Sequence, residues 1–252
     1  MRLIILGLNG FVGCHLYRFL SKGKTELLGF NKDNLDFSRP DTFANYVPLH
    51  EDILIDCIAK IDGSEEEVNG VNLKGLTKFI EYLNTFNVTF KYVYFSTYAT
   101  CLTQQVTSNS YVRSKFFAEE MIRKNVIDYK IIRLIFPFGK GENANRLISR
   151  ILNKIQSREI ISVDKFTLNL TPLNDLRENF SELINSPEKE INFSNGVEIF
   201  LPELIEFIYD QSGIEPKYSI TDKEMKIVSP STSALPVTKD AIYKEIMNML
   251  HD

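Results

Sequence analysis

Tyr111 and Lys115, in the stretch Ser110-Tyr111-Val112-Arg113-Ser114-Lys115, are spaced to share one face of a helix. The residues after them, FFAEEMIRK, read as the continuation of that helix. A free tyrosine titrates near ~10, too high to exchange protons readily at neutral pH. An ammonium group beside it stabilises the phenolate and lowers that value by roughly 1–3 units. A phenol tuned in this way suits reversible proton transfer to a carbonyl oxygen. Such a site also calls for a hydroxyl that fixes the carbonyl, at the C-terminal end of a neighbouring strand. The strand-like run YVYF ends in Ser96-Thr97, which offers two.

A second motif supplies a ligand. Gly7-Leu8-Asn9-Gly10-Phe11-Val12-Gly13 lies between an apolar run, Leu3 to Leu6, and a helical segment, Phe11 to Leu20. The order strand, glycines, helix is what a dinucleotide site requires. Gly7 permits the tight turn, Gly10 lets backbone approach a pyrophosphate, and Gly13 allows the helix to pack closely on the sheet. The helix start turns free N–H groups and a positive dipole end toward the phosphates. The second strand ends in Phe30-Asn31-Lys32-Asp33, where the adenosine ribose belongs. Asn31 is neutral and Lys32 suits a 2′-phosphate, which favours NADP. Asp33 and Asp36 lie close enough to keep NAD as the alternative.

The elements that must carry these residues alternate. Glu26 to Phe30 and Ile53 to Cys57 read as strands, and Glu66 to Phe86 as a helix with an apolar stripe. Tyr92 to Phe95 and Tyr129 to Ile135 are strands on either side of the Tyr111 helix. Strands alternating with helices imply a parallel sheet covered on both faces. Past Gly141 the rhythm changes. Asn145 to Gln156, Leu201 to Gln211 and Lys239 to Leu250 read as helices, Ile160 to Val163 and Ile191 to Phe193 as short strands, and Val228 to Pro236 as a loop. Asn145, Arg146 and Arg150 are candidate phosphate contacts, with an exposed helical face as the plainer reading.

Composition narrows the function classes. The chain has 252 residues, 44% of them hydrophobic and 25% charged, the balance of a globular protein. A net charge of -4 argues against a nucleic-acid surface. No apolar run reaches the ~18 residues of a membrane span, and the short apolar start reads as a strand rather than a signal peptide. The three cysteines are scattered and the three histidines show no metal-ligand spacing, so the expectation is a cytoplasmic protein with no metal site.

Taken in order, the glycine turn, the strand ending in Ser-Thr and Tyr-x-x-x-Lys resemble the short-chain dehydrogenase/reductase superfamily. The G-x-x-G-x-x-G form is similar to its extended branch, the NAD-dependent epimerase/dehydratase family that acts on nucleotide sugars. Asp56-Cys57-Ile58-Ala59 resembles the segment that passes beside the cofactor, and Val71-Asn72-Leu73-Lys74-Gly75 the asparagine-bearing helix. The Tyr111 segment with Glu119 resembles the catalytic helix, and RLIFPFG, with Leu134 and Phe136, the strand and turn that meet the nicotinamide. The region LDFSRPDTF, with IDCIAKIDGSEEE, has some likeness to dTDP-4-dehydrorhamnose reductases; a solvated helix start explains Glu65 to Glu67 equally well.

The resemblance covers residues 1 to about 140 and implies the following. Tyr111 is the acid/base, Lys115 its tuner and a ribose contact, and Thr97 the carbonyl-binding hydroxyl, with Ser96 its competitor. Gly7, Asn9, Gly10, Phe11, Val12 and Gly13 hold the pyrophosphate. Asn31, Lys32, Cys57, Ile58, Ala59 and Ser96 line the rest of the cofactor, with Leu134 and Phe136 at the nicotinamide. The implied fold is α/β: a Rossmann-type doubly wound parallel sheet, residues 1–140, and a small mixed α/β substrate lobe, residues 141–252, partly interleaved with it. The implied function is reduction of a keto group on a nucleotide-linked deoxysugar. The alternatives are a nucleotide-sugar epimerase and a non-catalytic cofactor-binding regulator. Tyr98 and Ala99 stand where the family's 4,6-dehydratases carry an acidic pair, which disfavours dehydration. A homodimer is expected, with Phe116, Phe117 and Met121 covering more than one helix face.

Overall fold

The apolar run after Met1 is buried throughout as the central strand of a parallel sheet must be: Ile4, Ile5 and Leu6 have no exposed surface. In the computed structural model, which describes residues 1–232 and 237–251, the chain opens as β1 (Arg2–Leu6), α1 (Phe11–Leu20), β2 (Glu26–Phe30) and β3 (Asp52–Asp56). It continues as α2 (Glu65–Asn69), α3 (Leu76–Asn84), β4 (Phe90–Thr97), α4 (Thr103–Ser108), α5 (Ser110–Asn125) and β5 (Asp128–Leu134). Then come β6 (Pro137–Phe138), α6 (Leu147–Gln156), β7 (Ile161–Asn169), β8 (Thr171–Pro172), α7 (Leu173–Asn185) and β9 (Glu190–Phe193). The chain closes with β10 (Glu198–Phe200), α8 (Leu201–Ser212), β11 (Tyr218–Ile227) and α9 (Lys239–His251). Among the described residues no helix is long and apolar enough to cross a membrane.

The chain forms two compact units, 1–133 with 183–191, and 134–182 with 192–251. In the first, the sheet has the order β2-β1-β3-β4-β5-β9, with β1 parallel to both β2 and β3, and β3 parallel to β4. The fold is thus a Rossmann-type doubly wound α/β sheet. The strand order reverses between β1 and β3. In open sheets of this kind, ligands bind at the carboxyl ends of the strands beside that reversal. One core joins Leu54, Phe79, Tyr92 and Ile122. Between β2 and β3 no α-helix forms; a loop and a 3₁₀ turn, Pro40–Asn45, bury Leu35, Phe37, Phe43 and Tyr46 instead.

The expected helix over residues 66–86 is interrupted. A π-helical turn, Gly70–Gly75, separates α2 from α3. A Cβ on Gly75 would sit 2.2 Å from the Phe37 carbonyl oxygen, so the loop after β2 presses on this turn. The acidic run opens α2 as a capping box: Ser64 and Glu67 bond each other's backbone N–H.

In the second unit a three-stranded sheet, β10-β7-β11, packs with α6, α8 and α9 around Ile151, Leu168, Leu204 and Ile246. Here the sequence reading was incomplete. The strand expected at Ile160 to Val163 begins at Ile161 and runs to Asn169, while α7 and β11 were not anticipated. β11, YSITDKEMKI, is a largely exposed edge strand, so it carries little hydrophobic alternation. Its parallel pairing with β7 shifts register between Ile220 and Glu224. Residues 233–236 of the anticipated loop lie outside the described residues. Arg146 donates to the Pro137 carbonyl at 2.7 Å and pairs with Glu142.

Candidate active site

The glycine turn begins where β1 ends. Gly7 has φ +82, a conformation open to glycine and strained for other residues. Its N–H and that of Leu8 both bond the Phe30 carbonyl, at 2.9 and 2.8 Å, which ties the turn to the end of β2. A Cβ on Gly13 would lie 2.3 Å from the Gly7 carbonyl oxygen, and one on Gly7 would lie 3.1 Å from the backbone nitrogen of Ile58. Gly10 caps α1 in an extended conformation with no side chain across the helix start. Asn9, Phe11 and Val12 complete the turn. The glycines therefore leave a bare backbone cradle at the helix N-terminus, of the kind that fits a pyrophosphate.

β3 ends beside that cradle. Cys57 donates its N–H to the Leu6 carbonyl at 3.0 Å, placing Cys57, Ile58 and Ala59 alongside the turn. Burial pushes the Cys57 thiol well up. Asp56 accepts from the Ile58 N–H at 2.8 Å and from the Tyr92 hydroxyl at 2.8 Å. Burial pushes its carboxyl up to about 6, against the pull of Lys115 and of those two hydrogen bonds.

Asn109 opens α5 by accepting from the Val112 N–H. The helix then carries Tyr111, half-buried, and Lys115, only 2% exposed. The Lys115 Nζ donates to the Ile58 carbonyl at 3.4 Å and lies 4.1 Å from the centre of the Tyr94 ring. Burial pulls the Lys115 ammonium down to about 8, opposed chiefly by Asp56. Between the two, Ser114 donates to the Tyr111 carbonyl and accepts from Asn72, at 2.7 and 3.0 Å. Asn72 also bonds both the N–H and the carbonyl of Lys60, so the π-helical turn clamps the chain after β3 onto α5.

Ser96 and Thr97, adjacent at the end of β4, point to different tasks. The Ser96 hydroxyl donates to Glu119 at 2.6 Å in a buried network. Glu119 also accepts from Thr100 at 3.0 Å and from Arg133 at 2.5 and 3.0 Å. Thr97 accepts weakly from the Ala99 N–H at 3.3 Å and is only partly buried. Glu119 lies one turn beyond Lys115 on the same face of α5, so this network joins the strand end that bears Thr97 to the helix that bears Tyr111.

At the end of β2, the Asn31 side chain accepts from the Asp33 N–H and closes a local turn. Lys32 is exposed, and its carbonyl accepts from Arg39 at 2.8 Å. Asp36 is turned inward and bound by Ser38 and Arg39. A groove of about 440 Å³ is lined by Lys32, Lys60, Lys74 and Lys78 together with Glu66 and Glu67. Leu134 and Phe136 belong to the second unit; Leu134 ends β5 and Phe136 holds a left-handed backbone, φ +38.

Sequence reasoning passed over Asp56, Asn72 and the additional lysines as site residues. Asp56 had a signal: a charge closing the apolar run Ile53-Leu54-Ile55.

The profile of the NAD dependent epimerase/dehydratase family matches residues 3–178. No curated protein matches the sequence at a significant level. The fold is similar to the RMD protein of Pseudomonas aeruginosa, solved with NADPH: TM-score 0.80, 17% identity, 99% of each chain covered. It is similar to a dTDP-4-dehydrorhamnose reductase of Bacillus anthracis solved with NADP, with TM-score 0.78, 20% identity, and 98% of this chain and 99% of that one covered. It is also similar to a UDP-glucose 4-epimerase of Thermotoga maritima solved with UDP-glucose, with TM-score 0.82, 12% identity, and 100% and 99% covered. On the profile match the chain is a member of the NAD dependent epimerase/dehydratase family.

Proposed function

We propose that this protein reduces the keto group of a nucleotide-linked deoxysugar, with NADP as its nicotinamide cofactor. The observation that carries the reading is the Ile58 backbone. Its nitrogen packs against Gly7 of the bare cradle, and its carbonyl accepts from Lys115. One residue thus sets the general-acid helix against the dinucleotide turn.

The cradle of Gly7, Gly10 and Gly13 would hold the pyrophosphate, and Lys32 the 2′-phosphate, with Lys60, Lys74 and Lys78 adding positive field along the groove. A bound nicotinamide supplies the hydride for the keto carbon. Tyr111 gives its phenolic proton to the carbonyl oxygen as that oxygen gains charge. Lys115, still an ammonium at neutral pH, stabilises the phenolate left behind. Thr97, whose hydroxyl is not spent on the Glu119 network, donates to the same carbonyl oxygen and fixes its direction. Leu134 and Phe136 are assigned to the nicotinamide, and the lobe from residue 141 onward to the sugar nucleotide. Two copies are expected to pair through α5, which leaves Phe117 48% exposed; a monomeric mass in light scattering at micromolar concentration would remove that assignment.

The deciding experiment mixes the purified protein with NADPH and a 4-keto-6-deoxy nucleotide sugar. Loss of nicotinamide absorbance in step with product is the expected result. Sugar conversion with no net change in absorbance replaces this reading with epimerisation, and no conversion of any keto-sugar replaces it with a cofactor-bound regulator.

A further inference from the structure

Asp56 is a buried acid that the reaction above does not use. It closes an apolar strand and has no exposed surface. A lone ionised carboxylate is not tolerated in such a place, so its partners define what it is for. Two are hydrogen-bond donors, the Ile58 N–H and the Tyr92 hydroxyl, both at 2.8 Å. The third is a charge, Lys115, which acts on Asp56 as Asp56 acts on it.

From β3 and the residue after it come Asp56 and Cys57, from β4 Tyr92 and Tyr94, and from α5 Tyr111, Lys115 and Glu119. Burial pushes the pKa values of Cys57, Tyr92 and Tyr94 well up, so these three are neutral. Glu119 is bound to Arg133 and Arg123. Asp56 is the first counter-charge to Lys115, with Glu119 behind it. The link is mechanical as well as electrostatic, since the Ile58 backbone gives its N–H to the acid and its carbonyl to the ammonium.

We propose that Asp56 is a positioning residue that keeps Lys115 in its charged form, acting across the backbone of Ile58, which both side chains bind. This rests on the assignment of Lys115 to proton transfer, so the test reads Lys115 itself. With Asp56 pushed up to about 6 and Lys115 pulled down to about 8, both are ionised between those values, which spans neutrality. Protonation of Asp56 below that window leaves Lys115 without its first counter-charge.

The experiment is an NMR titration of protein carrying ¹³C at lysine Cε, with Lys115 assigned through Lys115→Met. In the wild type, Lys115 should titrate near about 8 and show a second, smaller step near about 6, as Asp56 takes its proton. In Asp56→Asn the small step should vanish and the main midpoint should fall by roughly 1–3 pH units. An unmoved midpoint overturns the proposal. If Asp56→Asn does not fold, Tyr92→Phe serves in its place. Removing one donor from the carboxylate should move the small step to higher pH, and an absent or unmoved step overturns the proposal. A midpoint that falls while the pH profile of turnover stays put upholds the hold of Asp56 on Lys115 and removes Lys115 from proton transfer.

Discussion

Ser96 donates its hydroxyl to the buried carboxylate of Glu119 at 2.6 Å, while its neighbour Thr97 keeps its hydroxyl off that network. The pair therefore separates by task. Ser96→Ala should lower stability by about 1–3 kcal/mol, the cost of leaving a buried acceptor short of a donor, with turnover changed little. Thr97→Val should do the reverse and lower kcat by roughly 10²-fold, as loss of a positioned donor to a reacting oxygen does. Denaturant melts and steady-state kinetics on the two variants check the assignment. The opposite pattern would give the carbonyl to Ser96.

Acid should loosen the edge of the sheet through Glu190. Its carboxylate accepts from Arg123 at 2.7 and 2.8 Å and from Arg133 at 2.6 Å. The Arg123 hydrogen bonds, with Arg133 beside them, pull its pKa from the usual carboxylate range down to about 2. A depressed folded value means that the contribution is complete above the ordinary Glu value of ~4.3 and fades as pH falls toward about 2. Glu190→Gln should thus be less stable than wild type at neutral pH, and the gap should narrow on acidification below ~4.3. Paired urea melts across that range measure it, and a gap that is constant with pH refutes it.

Tyr111→Phe keeps the ring and removes the proton. Turnover should fall by ~10²–10⁴-fold, the usual worth of a general acid, with cofactor affinity nearly unchanged. Retention of most of the wild-type kcat would remove Tyr111 from the chemistry.

Lys32 is the first cation after β2 and opens onto the groove with Lys60, Lys74 and Lys78. Lys32→Ala should weaken NADPH more than NADH, by roughly the 0.2–1 kcal/mol of an exposed charge pair or somewhat more at low salt. Isothermal titration with both cofactors decides it. Equal losses, or a wild-type preference for NADH, would return the ribose site to NAD.

Much of this protein is local, and that part was legible in the chain. The bounds of α1 and β2 follow from short-range periodicity and from where the glycines fall. Gly7, Gly10 and Gly13 are readable because their lack of a side chain has a steric meaning at fixed spacing. Tyr111 and Lys115 are readable because one helical turn sets them on one face. α7 was legible and missed: Leu173, Leu176, Phe180, Leu183 and Ile184 form a buried stripe at helical spacing. β11 was not legible, because it is an exposed edge strand whose register with β7 slips.

What the tertiary structure decided are the bonds between residues far apart in sequence. Whether Ser96 or Thr97 is available depended on Glu119, brought over β4 by the packing of α5. That Asn72 clamps Lys60 and Ser114 required a π turn, set by the close approach of Phe37 to Gly75. The role of Asp56 emerged only when β1, β3 and β4 lay side by side and Lys115 descended onto the Ile58 carbonyl. The physical reason is common to all three. A hydrogen bond or buried charge pair is set by strand order and helix seating, and those are fixed by the whole core rather than by any window of sequence.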